Sequence, residues 1–555
     1  PEAHNNRGDL LQTAGRIDAA LASYDRAIAL SPRYAGAYFN RGNVLKSIGQ
    51  WDQAIASYDQ ALKIAPDYAD AHHNRGHVLA ERKQFDQAIQ SYDQALKFKT
   101  GIAYLPGTRL NLKMHLCDWD QFEPSLQSLS GDIVQGKNVC PPFPFLAMTD
   151  DPALQQKVAQ IWIQDKHPRA PSSKAITIKA QHERLRIGYF SADLWSHPVA
   201  HLIAGVFDAH DRARFEIHAF SSGPDTQDPM RKRLEGAFEH FHDVRLRSDA
   251  EVIDLAKKCE IDIAVDLSGL TKGCRPALFA AGVAPVQINY LGYPGTMGTQ
   301  YIDYIIADPT LIPEKSRAFY SEKVIYLPHS YQANDRKREI AEKTFSRAEL
   351  GLPETGFVFC CFNNHFKILP STFDSWMRIL KAIPHSVLWL MGGGDLTVSN
   401  LKREAELRGV EASRLVFAQH MPLDAHLARH RAADLFLDCL PYNAHTTASD
   451  ALWAGLPVVT CMGQSFASRV AASLLSAVGL PELITQSASE FERLAVTLAQ
   501  DAARLKAVRD KLDGNRLTAP LFDTALTTRH LEAAYERVHA QRKAGLPAEH
   551  ILIPA

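Results

Sequence analysis

The residues best suited to chemistry lie in the second half of the chain, where Lys367 and a pair of threonines each follow a predicted strand. Thr446 and Thr447 come after the run 435–438, and we expect a helix to begin there because a threonine can cap its first turn. The free N–H groups and positive dipole end of such a helix favour an anion. Lys367 follows the run 357–362 and adds a full positive charge. The pattern predicts a diphosphate site.

Polar residues near this pair are candidates for binding the rest of a nucleotide. Asp450 lies one turn inside the predicted helix, where its carboxylate could accept hydrogen bonds from ribose hydroxyls. The alternative is a solvated carboxylate behind an ordinary helix cap. His426 and Arg429 are three residues apart on a predicted helix and could face the base and ribose together. Lys367 could instead be a surface lysine, although its position directly after a strand favours the cleft.

The predicted site needs no metal. A helix end is worth at most about 2 kcal/mol for one charge, whereas a departing diphosphate develops more charge than that can hold. A cation must supply the rest, and Lys367 is that cation. Asp118 and Asp120 match the D-x-D pattern of metal-dependent sugar transferases. We reject this match because the pattern is short and lies outside the predicted α/β units. We therefore expect no metal and no cofactor at this site.

Two loops in the first half of the chain could face an acceptor. His197 lies in the run S-A-D-L-W-S-H-P over 191–198, where it would either take a proton from the acceptor or only position it. His201, four residues on, is expected to pack within a helix. The second loop, L-G-Y-P-G-T over 291–296, lets the backbone approach a sugar closely, or else is a tight structural turn. Its candidate residues are Leu291, Gly292 and Pro294.

Short β-rich runs alternate with helical stretches after Arg184, which is typical of parallel α/β sheets. A capping box of Ser248 and Glu251 predicts the start of one of these helices. Two doubly wound halves place a cleft at the carboxyl ends of their strands. Neither half carries the G-x-G-x-x-G fingerprint, which argues against hydride transfer. The predicted strands cover 185–190, 215–221, 261–267, 286–291, 304–307 and 323–327, then 357–362, 387–390, 415–417, 435–438 and 457–460.

The first 100 residues repeat with a period of 34: N-R-G at 6–8 recurs at 40–42 and 74–76. This period, with alanines and a tyrosine at matching positions, resembles tetratricopeptide repeats of two antiparallel helices each. Stacked repeats form a superhelix whose groove binds an extended peptide, or else serve as a spacer or self-association surface. Asn6, Asn40 and Asn74 could form a ladder that binds peptide backbone through their amides. Alternatively, each asparagine satisfies its own helix turn.

Composition limits the class of function. Lys and Arg total 61 against 62 for Asp and Glu, so no overall field draws the chain to nucleic acid. The eight cysteines are scattered without a C-x-x-C pair, which indicates reduced thiols in a cytoplasm. No signal segment is recognised, and no apolar run approaches the roughly 18 residues of a membrane span. We expect a soluble, cytoplasmic protein that binds neither nucleic acid nor membrane.

The repeats and five motifs together resemble the O-linked N-acetylglucosamine transferases of glycosyltransferase family 41, over nearly the whole chain. The resemblance implies a GT-B fold of two Rossmann-like domains facing a cleft, and an inverting, metal-independent reaction. It implies UDP-N-acetylglucosamine (UDP-GlcNAc) as donor and protein Ser or Thr hydroxyls as acceptors. The motifs are S-A-D-L-W-S-H-P, L-G-Y-P-G-T, F-N-N-H-F-K, H-T-T-A-S-D-A-L-W-A-G-L-P-V-V-T and S-R-V-A-A-S-L-L.

The resemblance also implies roles for particular residues. The nucleotide would contact Asn364, Lys367, His426, Arg429, Thr446, Thr447 and Asp450, and the sugar would lie near Leu291, Gly292, Pro294 and His445. Two positions depart from the animal pattern, with Leu423 in place of a lysine and Asn364 in place of a glutamine. Both concern the nucleotide, so a transferase of GDP-fucose or of a UDP-hexose is an alternative. A repeat scaffold with an inactive transferase body is another, against which the intact Lys367 counts.

The predicted domains follow the chain in a simple order. They are a repeat array at 1–100, a helical connector or degenerate repeats at 101–180, a first Rossmann-like domain at 181–335, a nucleotide-sugar domain at 350–516, and a helical tail at 517–555.

Overall fold

The computed structural model describes residues 1–169 and 182–555. These residues form two compact units, Pro1–Leu129 and Ser130–Ala555. The predicted boundary between connector and first α/β domain, at 180 and 181, lies outside the described residues. No helix in the described ranges is both long and apolar enough to cross a membrane.

The first unit is built from antiparallel helix pairs, and the N-R-G motif explains how each pair packs. The motif's glycine faces the tyrosine of its partner helix: a Cβ added at Gly42 would lie 2.6 Å from the Tyr58 ring. Only glycine therefore permits this approach. The helices are α1 (Glu2–Thr13), α2 (Ile17–Leu30), α3 (Ala35–Ser47), α4 (Trp51–Ile64), α5 (Ala69–Glu81), α6 (Phe85–Phe98) and α7 (Leu105–His115), with α8 (Phe122–Val134) beginning in this unit.

The motif's arginine joins successive repeats. Arg41 Nε lies 2.8 Å from Asp25 of the preceding repeat, and its Nη1 donates to Ser57 Oγ at 2.7 Å. Arg75 repeats this arrangement, and Arg109 on α7 pairs with Asp93. The pattern of contacts therefore extends past residue 100 to α7, which covers the last repeat.

The first sheet of the second unit has the strand order β14-β7-β6-β5-β4-β1-β2-β3, and its described pairings are all parallel. Most of its strands are apolar on both faces because helices cover the sheet. Its strands are β1 (Leu185–Ser191), β2 (Phe215–Ser221), β3 (His240–Asp243), β4 (Ile263–Asp266), β5 (Val286–Asn289), β6 (Tyr304–Ala307), β7 (Lys323–Tyr326) and, from the end of the chain, β14 (Ile551–Leu552).

The second sheet has the order β10-β9-β8-β11-β12-β13 and is also parallel. Its core includes the fully buried rings of Trp376 and Trp389. Its strands are β8 (Val358–Cys361), β9 (Val387–Met391), β10 (Leu415–Ala418), β11 (Leu435–Leu437), β12 (Val458–Cys461) and β13 (Ile484–Thr485).

Helices of the second unit lie before and between these strands. They are α9 (Pro142–Phe145), α10 (Pro152–Lys166), α11 (Pro198–Ala209), α12 (Pro229–Ala237), α13 (Asp249–Lys258), α14 (Pro276–Ala281), α15 (Pro370–Ala382), α16 (Asp395–Leu407), α17 (Leu423–Arg429), α18 (Thr446–Trp453), α19 (Val470–Ala477), α20 (Ala488–Gln500), α21 (Ala502–Asn515) and α22 (Thr524–Lys543). The capping box of Ser248 and Glu251 begins α13, as predicted.

The predicted fold class, a tetratricopeptide array followed by a GT-B pair of parallel α/β domains, is confirmed. The chain end differs from a simple helical tail. Helix α22 packs on α11, with Tyr535 Oη 3.1 Å from Tyr189 Oη on β1. After it, β14 adds a parallel strand to β7. Residues from the end of the second unit thus form one edge of the first sheet.

Candidate active site

Both sheets reverse their strand order beside the same cleft. In the second sheet the order turns between β8 and β11, so the loops that follow these two strands diverge and leave a crevice. Lys367 follows β8 in a short 3-10 helix, and α18 follows β11. The first sheet turns between β1 and β4, and His197 follows β1. The topology explains why residues far apart in sequence meet.

The cleft has a volume of about 660 Å³, within the range of small-molecule sites. Both α/β domains line it. The predicted residues that it brings together are His197, Leu291, Gly292, Asn364, Lys367, His445, Thr446 and Thr447. Four predicted residues of the same unit are not among its lining residues: Pro294, His426, Arg429 and Asp450.

Lys367 lies at the cleft wall, and no carboxylate of residues 1–169 or 182–555 forms an ion pair with it. Its Nζ donates to the carbonyl of Asn443 at 2.9 Å and lies 4.0 Å from the centre of the Tyr442 ring. The residue is only 9% exposed, and burial lowers the pKa of the ammonium to about 8. Asp438 opposes this shift without cancelling it, so a buried ammonium at this place favours an anionic ligand.

The start of α18 lies beside this lysine. The predicted threonine cap is wrong, because His445 occupies the N-cap position and makes no side-chain cap bond. Thr446 and Thr447 therefore form the first turn, whose N–H groups lack acceptors within the helix. The Thr447 hydroxyl donates to Asn363 at the end of β8. This bond joins the loop after β8 to the start of α18, which follows β11.

Asp438 shapes the loop that leads into α18. Its carboxylate accepts hydrogen bonds from the N–H of Cys439 at 2.7 Å and of Ala444 at 2.6 Å, and from the Thr460 hydroxyl at 2.7 Å. Within this loop the ring of His445 stacks on Tyr442, and its Nε2 lies 3.1 Å from the carbonyl of Ala467. Burial and the nearby lysine hold the pKa of His445 well below its usual range, so the ring is neutral.

His197 faces the cleft from the opposite domain. It is the N-cap of α11, its Nδ1 accepting weakly from the N–H of Val199 at 3.4 Å. The same nitrogen lies 3.6 Å from the Asp193 carboxylate. Burial, with a smaller contribution from His201, lowers the pKa of His197 to about 4. A neutral imidazole at physiological pH has a lone pair that can accept a proton.

The loop after β5 lines the cleft, but packing accounts for its glycine. A Cβ at Gly292 would lie 2.0 Å from the carbonyl oxygen of Leu267, so only glycine fits against the neighbouring strand end. Leu291 has a positive φ of 69°. Pro294, in the same loop, is buried. The tight structural turn is thus present, and the turn also forms part of the cleft wall.

Asp450 and Arg429 have protein partners that the sequence did not indicate. Asp450 Oδ1 lies 2.5 Å from Arg338 Nη1, and both side chains are buried. Arg429 is 1% exposed, lies over the Phe362 ring, and donates to the carbonyl of Gln419 at 2.5 Å. Their contacts with ribose and base stay predictions.

His426 is packed among rings. Its centre lies 5.3 Å from that of Phe362 and 4.8 Å from that of His430. Burial lowers its pKa to about 2, with His430 and Arg429 adding to the effect, so this imidazole is neutral. Its contact with the base also stays a prediction.

The asparagines of the array contact neighbouring repeats. Asn40 Nδ2 donates to Asn5 at 3.1 Å and to Asp9 at 3.0 Å, both on α1. Asn74 Nδ2 donates to Asn43 on α3 at 2.8 Å, and Asn6 is exposed. The idea that each asparagine serves only its own helix turn is wrong for Asn40 and Asn74. Peptide binding by this ladder stays a prediction.

Sequence reasoning missed several residues of the cleft wall. Asn363 and Asp193 belong to two of the motifs quoted above, and Tyr442 lies three residues before a third, so these motifs were the available signal. Burial and Asp266 raise the pKa of Asp193 to about 6. Gln332 comes from the segment after β7 and carries no sequence signal.

Comparisons with known proteins show which families and chains this protein resembles. The model of glycosyl transferase family 41 matches residues 156–342 and 339–531, and tetratricopeptide-repeat models match 8–49, 42–81 and 69–99. An Arabidopsis thaliana protein named as a probable UDP-N-acetylglucosamine–peptide N-acetylglucosaminyltransferase, SEC, is 35% identical over 389 residues, which are 69% of this chain and 40% of that protein. The UDP-N-acetylglucosamine–peptide N-acetylglucosaminyltransferase of Caenorhabditis elegans is 28% identical over 481 residues, 66% of this chain and 42% of its own.

A solved structure is similar over almost its whole length. A mutant of the Thermobaculum terrenum O-GlcNAc transferase superposes with a TM-score of 0.73 at 28% identity, covering 98% of both chains. The chain spans about two fifths of the length of the curated relatives above. With the family model matching more than half of its residues, the chain belongs to glycosyl transferase family 41.

Proposed function

We propose that this protein transfers N-acetylglucosamine from UDP-GlcNAc to Ser or Thr hydroxyls of proteins in the cytoplasm, with inversion and without a metal. The observation that carries the proposal is Lys367, a buried ammonium that forms no ion pair within the described part of the chain. It lies where the strand order of the second sheet reverses, beside the first turn of α18. The family and the names of the relatives support the donor and acceptor classes.

The donor's diphosphate would lie between Lys367 and the N-terminus of α18. Thr446 and Thr447 offer backbone N–H groups, and the lysine offers a compact charge. The glycosyl group would then extend across the cleft toward Leu291 and Gly292. Asn364 is exposed at the cleft edge, where its amide can reach the nucleotide.

The reaction would be a single displacement. The acceptor oxygen forms a bond to the anomeric carbon while the bond from that carbon to the diphosphate oxygen breaks, which inverts the configuration. The acceptor proton passes to His197, whose neutral imidazole can accept it. Lys367 balances the charge that develops on the leaving oxygen.

The array would hold the protein acceptor. Its repeats present the positions of Asn6, Asn40 and Asn74 at one-repeat intervals, which suits an extended chain. Binding of one segment of the acceptor to the repeats would then increase the local concentration of its hydroxyl at the active site.

Intact-mass analysis of an acceptor protein tests the proposal. With UDP-GlcNAc and excess chelator, we expect the acceptor to gain N-acetylhexosamine, and NMR should show a β-linkage formed from the α-linked donor. GDP-fucose and UDP-glucose serve as competing donors. Preferred transfer from either, or transfer only after Mg²⁺ is added, would contradict the proposal. Nucleotide binding without transfer to any protein would favour the inactive scaffold.

A further inference from the structure

Three side chains with metal-binding atoms meet at the edge of the first sheet, outside the cleft. His218 lies on β2, His242 on the edge strand β3, and Cys259 directly after α13. Their ligand atoms all lie within 4.8 Å of one another. None of the three lines the cleft, so the catalytic proposal leaves this cluster unexplained.

The parallel register of β2 and β3 creates the cluster. His218 pairs with His240, and Phe220 pairs with His242, so these side chains share one face of the sheet. The His218 and His242 rings are nearly parallel, with centres 5.6 Å apart. The chain then passes through α13 and returns Cys259 to the same face.

The spacing of the donor atoms suits a tetrahedral ion. His218 Nδ1 lies 3.3 Å from His242 Nε2, which in turn lies 3.8 Å from Cys259 Sγ. Zinc bonds of about 2.0–2.1 Å to nitrogen and 2.3 Å to sulfur imply tetrahedral donor spacings of about 3.3–3.6 Å. An ion could therefore bind with only small side-chain shifts.

Glu216 orients the most buried of the three ligands. Its Oε1 lies 3.0 Å from His218 Nε2, and its Oε2 lies 3.2 Å from Arg184 Nη2. A hydrogen bond from Nε2–H to this carboxylate places the ring lone pair on Nδ1, the nitrogen that faces His242. Histidine ligands of metals usually have such an outer carboxylate partner.

We propose that His218 Nδ1, His242 Nε2 and Cys259 Sγ bind a Zn²⁺ ion whose fourth ligand is water. Two imidazoles and a thiolate match the ligand preference of Zn²⁺, whereas Mg²⁺ and Ca²⁺ prefer oxygen. The ion would join β2, the edge strand β3 and the end of α13. None of the three ligands lines the cleft, so the ion is compatible with metal-independent transfer there.

A second set, Glu216, His218 and His240, also has its ligand atoms within 4.8 Å of one another. It would use the other nitrogen of His218 and no sulfur. The two sets make different predictions, because only the first gives a metal–thiolate bond.

Cobalt titration of the untagged full chain tests the site. After removal of metal by a chelator, we expect one Co²⁺ per chain, with the near-ultraviolet absorption of a cobalt–thiolate bond, and displacement by Zn²⁺. Cys259→Ser should abolish this absorption and weaken Zn²⁺ binding at least about 100-fold, whereas Cys274→Ser, at another partly buried cysteine, should change neither. Glu216→Gln should keep the absorption and weaken binding about 10–100-fold.

Three outcomes would overturn the proposal. The first is thiolate absorption that survives Cys259→Ser, and the second is no such absorption at all in the folded wild-type chain. The third is binding that depends on His240 and not on Cys259, which would assign the ion to the second set. Circular dichroism of each variant establishes that it is folded, and Zn²⁺ should raise the melting temperature of the wild type but not of Cys259→Ser.

Discussion

Arg338, in the segment between the two sheets, forms a buried ion pair with Asp450 on α18, its Nη1 lying 2.5 Å from the carboxylate. Its Nη2 also donates to Ser449 Oγ at 3.1 Å. The carboxylate that is expected to bind ribose is therefore oriented by an arginine from outside the second sheet.

We predict that Arg338→Met lowers stability by about 3–5 kcal/mol, because it leaves Asp450 buried without its partner. Asp450→Asn in the same chain should restore part of this loss, and thermal or denaturant melting measures both. If Asp450 also contacts ribose, Asp450→Asn alone should weaken UDP binding in calorimetry. Equal stability of the wild type and Arg338→Met would contradict the importance of this pair.

For Lys367→Ala we expect turnover to fall about 10²–10³-fold, the scale seen when one preorganised charge-stabilising group is removed. Its interaction with the leaving group strengthens as charge develops, so the effect should be on kcat more than on the Michaelis constant for donor. Lys367→Arg should recover little, because a planar guanidinium cannot reproduce the compact charge that the ammonium places beside Tyr442 and the Asn443 carbonyl. Lys381→Ala, at an exposed helix position, is the control. Near-normal turnover with only a raised Michaelis constant would make Lys367 a ground-state binder.

As the pH is raised, kcat/KM should begin to fall at a lower pH than kcat does. Burial lowers the pKa of Lys367 to about 8, so the free enzyme loses this charge above about pH 8. A bound diphosphate favours the ammonium, so kcat should fall only at higher pH. Steady-state rates across pH 5–10 at saturating and limiting donor measure the difference. If Lys367→Arg lost activity over the same alkaline range as the wild type, the fall would not come from Lys367 and this assignment would be wrong.

At acid pH, the dependence of kcat/KM on pH distinguishes two candidate bases, His197 and Asp193. His197 has its pKa lowered to about 4, whereas Asp193 has its pKa raised to about 6. If His197 is the base, kcat/KM should hold down to about pH 5 and His197→Asn should lower it about 10²–10⁴-fold. A decline centred near pH 6 that persists in His197→Asn would instead assign the base to Asp193.

Gly42→Ala should destabilise the array, because its Cβ would lie 2.6 Å from the ring of Tyr58. We expect a loss of about 1–3 kcal/mol, as for overpacking in a core. Gly36→Ala on the same helix is the matched control, since its nearest neighbour is the partly exposed ring of Tyr34 at 3.3 Å. Melting of both variants measures the difference, and equal melting temperatures would refute the packing argument.

Replacing Asn6, Asn40 and Asn74 by alanine should raise the Michaelis constant for a protein acceptor while leaving that for UDP-GlcNAc unchanged. Loss of the Asn40 bonds to α1 also loosens the repeats, so Arg41→Ala serves as the control for loosened packing. An equal rise in both variants would show that the asparagines act through the array's stability and not by binding peptide.

Sequence reasoning located the cleft because the relevant signals are local. Lys367 and Thr446 each follow an apolar strand, and parallel topology brings such strand ends together. The partners of these residues are not local. Arg338 lies 112 positions from Asp450, and the segment that carries it has no periodic pattern.

Strand β3 is a second feature that could not be predicted from the sequence. Its sequence is H-F-H-D, and its residues are exposed or partly buried, so it lacks the apolar pattern by which strands are recognised. Without β3 there is no register to place His218 beside His242. The position of Cys259 then depends on the length of α13, and the cluster becomes visible only in three dimensions.

The pairing of β14 with β7 has a consequence for synthesis on the ribosome. Ile551 pairs with Ile325, so the first sheet gains its outermost strand only after about 226 further residues have been translated. At about 5–20 residues per second this takes roughly 11–45 s, during which the whole second sheet emerges. The β7 edge is unpaired throughout that interval, and an unpaired strand edge is a site for association with other chains. Nascent chains should therefore be most prone to aggregate, and most dependent on chaperones, in the window between these two strands.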